Sequence, residues 1–130
     1  MKRIYVKYRS LAIIAIVLFA QSVLSQGQAQ KEKASPLPED VKKIFDTSCY
    51  PCHFQGGKVM ALSMVNFSKW NGYTVSKSVS KASMICYALN KEKMPPKKIR
   101  KQMPFKIPSK EQTDLICKWA ESLKAANKDH

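Results

Sequence analysis

Apolar residues recur at the spacing of one buried helical face in three stretches of the chain, and each stretch predicts a helix. The first helix begins at Pro38, which suits a first helical position. Its apolar stripe consists of Val41, Ile44 and Phe45. The second helix runs from about residue 74 to residue 90. Its apolar residues alternate steps of four and three: Val75, Val79, Ala82, Cys86 and Leu89.

The third helix is predicted directly after Pro108. Ser109 is a favourable N-cap residue and Gln112 follows three positions later, which is the pattern of a capping box. We expect Trp119 of this helix to cross over Phe45 of the first. The chain has no internal repeat and no strand-like alternation, so the predicted fold class is all-α. The buried stripe of the third helix is predicted as Leu115, Ile116, Trp119 and Leu123.

The segments between these helices have no clean period. Residues 59–72 are apolar but irregular, and we expect a short turn or loop there. Residues 91–108 contain four prolines among many lysines, which predicts an irregular excursion and no helix. Gly56 and Gly57 allow the backbone to turn sharply soon after His53.

The N-terminus has the pattern of a secretory signal peptide. A basic region precedes the unbroken apolar run 11–20, which is shorter than the about 20 residues that span a bilayer. We predict a signal peptide over residues 1–25, with cleavage after residue 25 or 29, and export to the periplasm. A polar, flexible lead-in over 26–36, one domain over 37–125 and a short tail over 126–130 complete the predicted organisation.

The charge balance is strongly basic. The formal net charge is +14 for the whole chain, and eight bases lie between residues 91 and 110 against the single acid Glu92. A basic rim of this kind would attract a partner with an acidic docking surface. A generally basic, solvated surface is the alternative interpretation. Nucleic acid is not an expected partner, because the protein is predicted to be exported.

The motif Cys49-Tyr50-Pro51-Cys52-His53 carries the candidate chemistry. C-x-x-C-H is the sequence at which haem is attached covalently, because two thiols about one turn apart can add to the two vinyl groups of one haem. The following His53 then reaches the iron as the proximal ligand. A redox dithiol would be expected in a βαβ context, and nothing strand-like precedes Cys49. Zinc would need further paired ligands.

Two cysteines remain outside the motif, Cys86 and Cys117. In an oxidising compartment spare cysteines most often pair, so we predict a disulfide between the two helices that carry them. Two buried thiols that behave as small apolar side chains are the alternative.

A sixth ligand to the iron is sought among the methionines. Met94 begins Met94-Pro95-Pro96, where two prolines hold an extended loop and fix the direction of the thioether sulfur. Met103-Pro104 is a second Met-Pro pair and stays open as an alternative ligand. Met84 lies between the core positions of a helix and is set aside.

Taken together, the helix, the C-x-x-C-H motif, a middle helix, Met-Pro-Pro on a loop and a closing helix resemble the small monohaem class I cytochromes c. The likeness covers residues 37–125. The second cysteine pair and the stretch 116–119 are similar to the haem-binding domains of Bacteroidetes bacteria. The resemblance implies a small helical domain wrapped around one covalently attached haem c. Its ligand set would be Cys49 and Cys52 as thioethers, His53 as proximal ligand and Met94 as distal ligand.

Such a six-coordinate iron has no open position for a substrate, so the resemblance implies a carrier of single electrons and not an enzyme. Its partners would be other redox proteins, and it would act as a monomer or as a subunit of a membrane-associated respiratory complex. The alternative is a haem-based sensor of small ligands or a peroxidase-like protein in which Met94 is displaced. No distal His or Arg is evident beside Met94 to support oxygen chemistry there, although Arg100 is a candidate.

Overall fold

The computed structural model of the protein describes residues 33–128. This part of the chain is helical and contains no strand, so the all-α prediction is confirmed for it. No helix within it is long and apolar enough to cross a membrane. The predicted signal peptide and most of the lead-in lie outside the described residues. The helices are α1 (Glu39–Ser48), α2 (Val59–Met64), α3 (Val75–Asn90), α4 (Lys97–Gln102) and α5 (Lys110–Ala126), with 3₁₀ helices at Phe67–Gly72 and Pro104–Lys106.

The three long helices form where the apolar periodicity predicts them. In α1, the stripe Val41, Ile44 and Phe45 is buried. Helix α3 begins after Thr74, whose side chain accepts a hydrogen bond from the backbone N–H of Lys77. Helix α5 begins after Ser109, and both hydrogen bonds of the predicted capping box with Gln112 are present. Of its predicted stripe, only Ile116 and Trp119 are fully buried. Ala120, which was not predicted, is buried beside them.

An aromatic cluster fills the centre of the domain. Phe45 stacks on Phe67 with ring centroids 4.2 Å apart. Trp119 meets the same Phe45 edge-on at 5.8 Å, so the predicted crossing of α5 over α1 is confirmed. Trp70 lies 5.3 Å from Trp119 and extends the cluster towards the chain segment before α1. These rings hold α1, α5 and the 59–72 segment together through large buried apolar surfaces.

Residues 59–72 contain two short helices, so the expectation of a turn or loop is wrong. The side chain of Asn66 caps the 3₁₀ helix by accepting from the N–H of Ser68, and Phe67 and Trp70 share its buried face. Two buried residues at an i, i+3 spacing occupy one turn of a 3₁₀ helix and are too few to establish a helical period in the sequence. Helix α2 has no buried residue and is too short to show a period.

Residues 97–102 form α4, which corrects the prediction of an irregular 91–108 segment. The prolines restrict the backbone only at their own positions and the one before. Pro96 therefore stands at the N-terminus of α4, where a missing N–H costs nothing. Pro104 ends it, because the preceding Met103 is forced out of the helical region to φ −138° and ψ 69°.

Helix α3 packs against α5 more extensively than any other pair of helices. Its fully buried positions are Ser78 and Ala82, so the buried face is rotated slightly from the predicted stripe, in which Val79 is only half-buried. Small side chains on this face allow the two helices to approach closely. Cys86 and Cys117 join them at disulfide distance, with S–S 2.02 Å and Cα–Cα 4.9 Å, as the sequence predicts.

The end of the predicted lead-in is attached to the domain. Ala34 is buried and its N–H donates to the carbonyl of Tyr73 at 2.9 Å. The indole Nε1–H of Trp70 donates to the carbonyl of Ser35 at 3.1 Å. The domain therefore includes residues from 33 onwards, because this polar stretch contributes backbone groups and one small apolar side chain that a periodicity search does not detect.

Candidate functional site

The C-x-x-C-H motif forms the turn that follows α1. Cys49 is the C-cap of that helix, and its N–H donates to the carbonyl of Phe45 at 2.9 Å. The N–H of His53 donates to the carbonyl of Cys49 at 3.2 Å, so the motif closes one further turn of chain. The end of helix α1 thus fixes the backbone positions from which the two thiols and the imidazole extend. Since Phe45 is fully buried, this anchor is rigid.

The imidazole of His53 is oriented by a backbone group. Its Nδ1 lies 3.1 Å from the carbonyl oxygen of Val65. Because a carbonyl oxygen only accepts hydrogen bonds, Nδ1 carries a proton, and in the neutral imidazole Nε2 then keeps its lone pair. The N–H of Phe67 donates back to the carbonyl of His53 at 2.9 Å. A histidine with Nδ1–H bonded to a carbonyl has the tautomer and fixed ring that a metal-ligating Nε2 requires.

The chain turns back immediately after His53, at the two predicted glycines. Gly56 has φ +84°, a region that side chains with a Cβ rarely adopt. At Gly57 a Cβ would collide with the backbone carbonyls of Pro51 and Cys52. The predicted need for glycine is confirmed at both positions, and the reason at Gly57 is close approach to the motif itself.

Two adjoining cavities open beside the motif. The first, of about 200 Å³, lies between the motif turn and the segment around Met94 and Met103. The second, of about 110 Å³, lies between the His53 side and the wall of α3. Both are lined mainly by apolar atoms. Four residues line both cavities and so lie between them: Cys49, His53, Leu89 and Met94.

The structure therefore brings together the residues predicted from the sequence. Cys49, Cys52, His53 and Met94 all line the first cavity. Met103 lines it too, but it does not reach the second cavity, which Met94 does. Met94 lies in a loop between α3 and α4, as the two following prolines predict. Met94 therefore lies between the two cavities, whereas Met103 borders only the first.

The two thiols of the motif are not joined to each other or to another cysteine within the described chain. Desolvation by the surrounding protein raises the pKa of the Cys49 thiol to about 12, and the Lys106 ammonium offsets part of this rise. Cys49 is thus a neutral thiol at physiological pH. A redox dithiol works through a thiolate of lowered pKa, so this environment disfavours the dithiol interpretation.

The ligand set for zinc is also missing in residues 33–128. No group of three His, Cys, Asp or Glu side chains is placed to hold a metal ion there. Cys86 and Cys117, the other two cysteines of the chain, are bonded to each other, and His130 lies outside the described residues. Cys49, Cys52 and His53 are at most three ligands, one fewer than a structural zinc site uses.

Part of the cavity wall is not evident from the sequence. Lys81, Met84, Ile85 and Ala88 form the α3 side of the second cavity. Met84, which the sequence places between core positions, is 41% exposed and faces this space. These positions follow one another at i, i+3, i+4 and i+7, a second helical stripe next to the buried one. That second stripe is the signal that could have identified them.

No family model, no curated protein and no solved structure matches this chain. Its assignment therefore depends on the residues and geometry described above.

Proposed function

We propose that the mature protein is a monohaem c-type cytochrome that carries single electrons. The observation that carries this proposal is one apolar cavity lined by two unpaired thiols, an oriented imidazole and a thioether. When bound, haem supplies an iron that accepts and releases one electron. The wrapping of the helical domain around that one haem belongs to the same proposal.

Each residue of the site has a distinct role in this proposal. Cys49 and Cys52 hold the porphyrin through thioether bonds, and His53 offers Nε2 to the iron. The carbonyl of Val65 keeps the His53 ring in one tautomer and one orientation, which limits rearrangement of the chain when the charge of the site changes. Met94 supplies the distal thioether, and its neighbour Pro95 is buried.

The walls around the site consist mostly of apolar atoms. The motif turn, Leu89, Ile99 and the Met94 loop provide most of the lining of the first cavity, and no carboxylate lines either cavity in the described chain. With His53 and Met94 on the iron, no coordination position would be left for a substrate. We therefore propose an electron carrier and not an enzyme.

The alternative of a haem sensor or peroxidase-like protein lacks a supporting group. Arg100, the candidate base for oxygen chemistry, donates to the carboxylate of Glu92 at 3.0 Å and to its carbonyl at 2.6 Å. It lines neither cavity, and among the described residues no histidine other than His53 does. Peroxide chemistry needs a distal acid–base group, and none is placed here.

The proposed partners are redox proteins with acidic docking surfaces, in the periplasm or in a membrane-associated respiratory complex. Lys106, one of the eight bases of the predicted rim, lines the first cavity together with Lys58, and Lys81 lines the second, which supports a positive surface around the site. We predict that the rate of oxidation by ferricyanide falls as ionic strength rises, while the rate with a cationic cobalt complex increases. Stopped-flow traces with both reagents measure this, and rates independent of salt would contradict a steering role for the rim.

The test of haem binding is expression of the mature chain with a cytochrome c maturation system. We expect a red protein whose haem stays attached under denaturing conditions and whose oxidised spectrum includes the sulfur-to-iron charge-transfer band. Cys49→Ser combined with Cys52→Ser should leave a chain without covalent haem, because both attachment atoms are removed. A colourless wild-type protein would refute the proposal.

Met94→Ala and Met103→Ala are the matched pair that identifies the distal ligand. Both methionines are 38% exposed and both line the first cavity, so the two variants remove similar contacts. We expect Met94→Ala to abolish the charge-transfer band and to let carbon monoxide bind the reduced protein, and Met103→Ala to do neither. The opposite pattern would assign the ligand to Met103. Carbon monoxide binding by the wild type at low concentration would favour the sensor alternative.

A further inference from the structure

The chain leaves α3 through a defined C-cap that positions Met94. The N–H of Glu92 donates to the carbonyl of Leu89 at 2.9 Å, and the N–H of Lys93 donates to that of Ala88 at 2.8 Å. These two bonds make up a Schellman motif. The next N–H, that of Met94, also points to Ala88 at 3.3 Å. The backbone at Met94 is thus tied to the last turn of α3.

The turning residue of this cap is an unusual one. A Schellman motif needs a left-handed residue at the position of Glu92, and glycine is the usual choice. Glu92 has φ +51°, a conformation that costs roughly 1 to 2 kcal/mol for a residue with a Cβ. Residues in this state persist only where the surroundings hold them. The hydrogen bonds of the cap offset part of this cost, and a contact from outside the cap would stabilise Glu92 and the loop after it further.

Arg100 supplies that contribution from across the loop. It lies on α4, on the far side of Met94-Pro95-Pro96, and its own N–H donates to the carbonyl of Pro96 at 3.0 Å. Its guanidinium reaches back to Glu92 with one nitrogen on the carboxylate and the other on the main-chain carbonyl. The loop that holds Met94 is therefore closed at its base by the hydrogen bond from the Arg100 side chain to the main-chain carbonyl of Glu92.

We propose that Arg100 is a positioning residue that fixes the Met94 loop through its hydrogen bond to the main-chain carbonyl of Glu92. The loop-fixing role stands on the described contacts, and its consequence for the iron rests on the proposed function of Met94. Without this bond the loop would open more often, and an external ligand would compete more effectively with Met94 for its position on the iron.

The main-chain bond matters more than the ion pair. The Glu92 side chain is 79% exposed, so its carboxylate is well solvated and the pair contributes little. The Arg100 side chain is only 23% exposed, and its bond to the carbonyl is short at 2.6 Å. Since only that bond acts on the backbone, removing the Glu92 carboxylate should leave the loop closed, whereas removing the guanidinium should release it.

The experiment compares Arg100→Met with Glu92→Gln and with Lys101→Met in the haem-loaded mature protein. Lys101→Met is the matched control, because it removes the same charge from the next, exposed position of α4. Amide hydrogen exchange of Lys93 and Met94 reports loop opening, and Ile116 reports the core. We expect Arg100→Met to accelerate exchange of the two loop amides about tenfold, with Ile116 and both other variants within about twofold of wild type.

The second measurement is the affinity of the oxidised protein for imidazole. We expect imidazole to bind about tenfold more tightly to Arg100→Met than to wild type, with Lys101→Met unchanged. Loop amides in Arg100→Met that exchange as in Lys101→Met would overturn the proposal. So would a Glu92→Gln variant that matches Arg100→Met, since that would assign the effect to the ion pair.

A replacement variant and a measurement without haem cover the two ways in which the experiment could fail. If Arg100→Met accelerates exchange at Ile116 as well, the shorter polar variant Arg100→Gln replaces it, with the same expected result and the same contrary one. If the chain takes up no haem, the exchange measurement is made on the chain as it is. Failure of haem binding then counts against the proposed function, and unchanged loop exchange counts against the role of Arg100.

Discussion

The contact between His53 Nδ1 and the carbonyl of Val65 determines what the imidazole can do. It joins two residues twelve positions apart and selects the tautomer with a free Nε2. The acceptor is a main-chain oxygen, so the identity of residue 65 does not reveal it. The motif residues themselves could be predicted from the sequence, because their chemistry depends on residue type and spacing. The carbonyl that orients the imidazole depends on how the 59–72 segment folds, and that folding could not be predicted from the sequence.

At the same scale, Gly57 makes a strong stability prediction. Gly57→Ala places a Cβ against the carbonyls of Pro51 and Cys52, which are backbone atoms and cannot move aside cheaply. We expect the free energy of unfolding to fall by about 2 to 3 kcal/mol, measured by urea denaturation.

Gly72→Ala is the control for this substitution, because a Cβ there meets nothing within 4 Å. It should change stability by less than about 0.5 kcal/mol. Equal effects of the two substitutions would show that the close approach at Gly57 is unimportant.

At the scale of the elements, the sequence predicts the long helices well and the short ones poorly. Helices α1, α3 and α5 each bury a repeated stripe, and the caps Thr74 and Ser109 fix where two of them begin. Helix α4 has six residues and no buried one. Its existence depends on the proline-defined ends and on contacts such as that of Arg100 with Glu92, which no periodicity contains.

The C-cap of α3 leads to a prediction of increased stability. Glu92→Gly removes the Cβ cost of a positive φ while keeping the main-chain carbonyl that Arg100 binds. We expect the free energy of unfolding to rise by about 0.5 to 1 kcal/mol, measured by the shift of the urea midpoint at constant m-value.

Lys91→Gly is the comparison, since Lys91 has φ −91° and gains nothing from glycine. It should destabilise the protein slightly through added freedom of the unfolded chain. A destabilising Glu92→Gly would mean that the carboxylate contributes more than its exposed position indicates.

At the scale of the whole molecule, one aromatic cluster and one cross-link hold the helices together. The cluster around Phe45 and Trp119 joins α1 to α5. The disulfide joins α3 to α5, and the amide nitrogen of Asn90 lies within 3.4 Å of both of its sulfur atoms. The sequence predicts the pairing on the premise that the protein is exported to an oxidising compartment. The geometry that permits the bond depends on how closely α3 approaches α5.

Removal of this cross-link should have a large effect. Cys86→Ala combined with Cys117→Ala opens a loop of 31 residues in sequence separation, and we expect the free energy of unfolding to fall by roughly 3 to 4 kcal/mol. Guanidinium unfolding of the haem-loaded protein measures this change. Asn90→Ala is the control that alters contacts at the sulfurs without cutting the bridge, and it should cost much less. Similar losses in both would mean that local packing matters more than the covalent bond.

The disulfide also changes the connectivity of the polypeptide. Residues 86–117 form a closed covalent ring, and Met94 and all eight of the clustered bases, Arg100 among them, lie on that ring. A single peptide-bond break within it converts the ring to an open chain but does not divide the molecule, because the two pieces remain linked through sulfur. Met94 would thus stay tethered to the C-x-x-C-H half of the protein after a protease cut within the ring on either side of it.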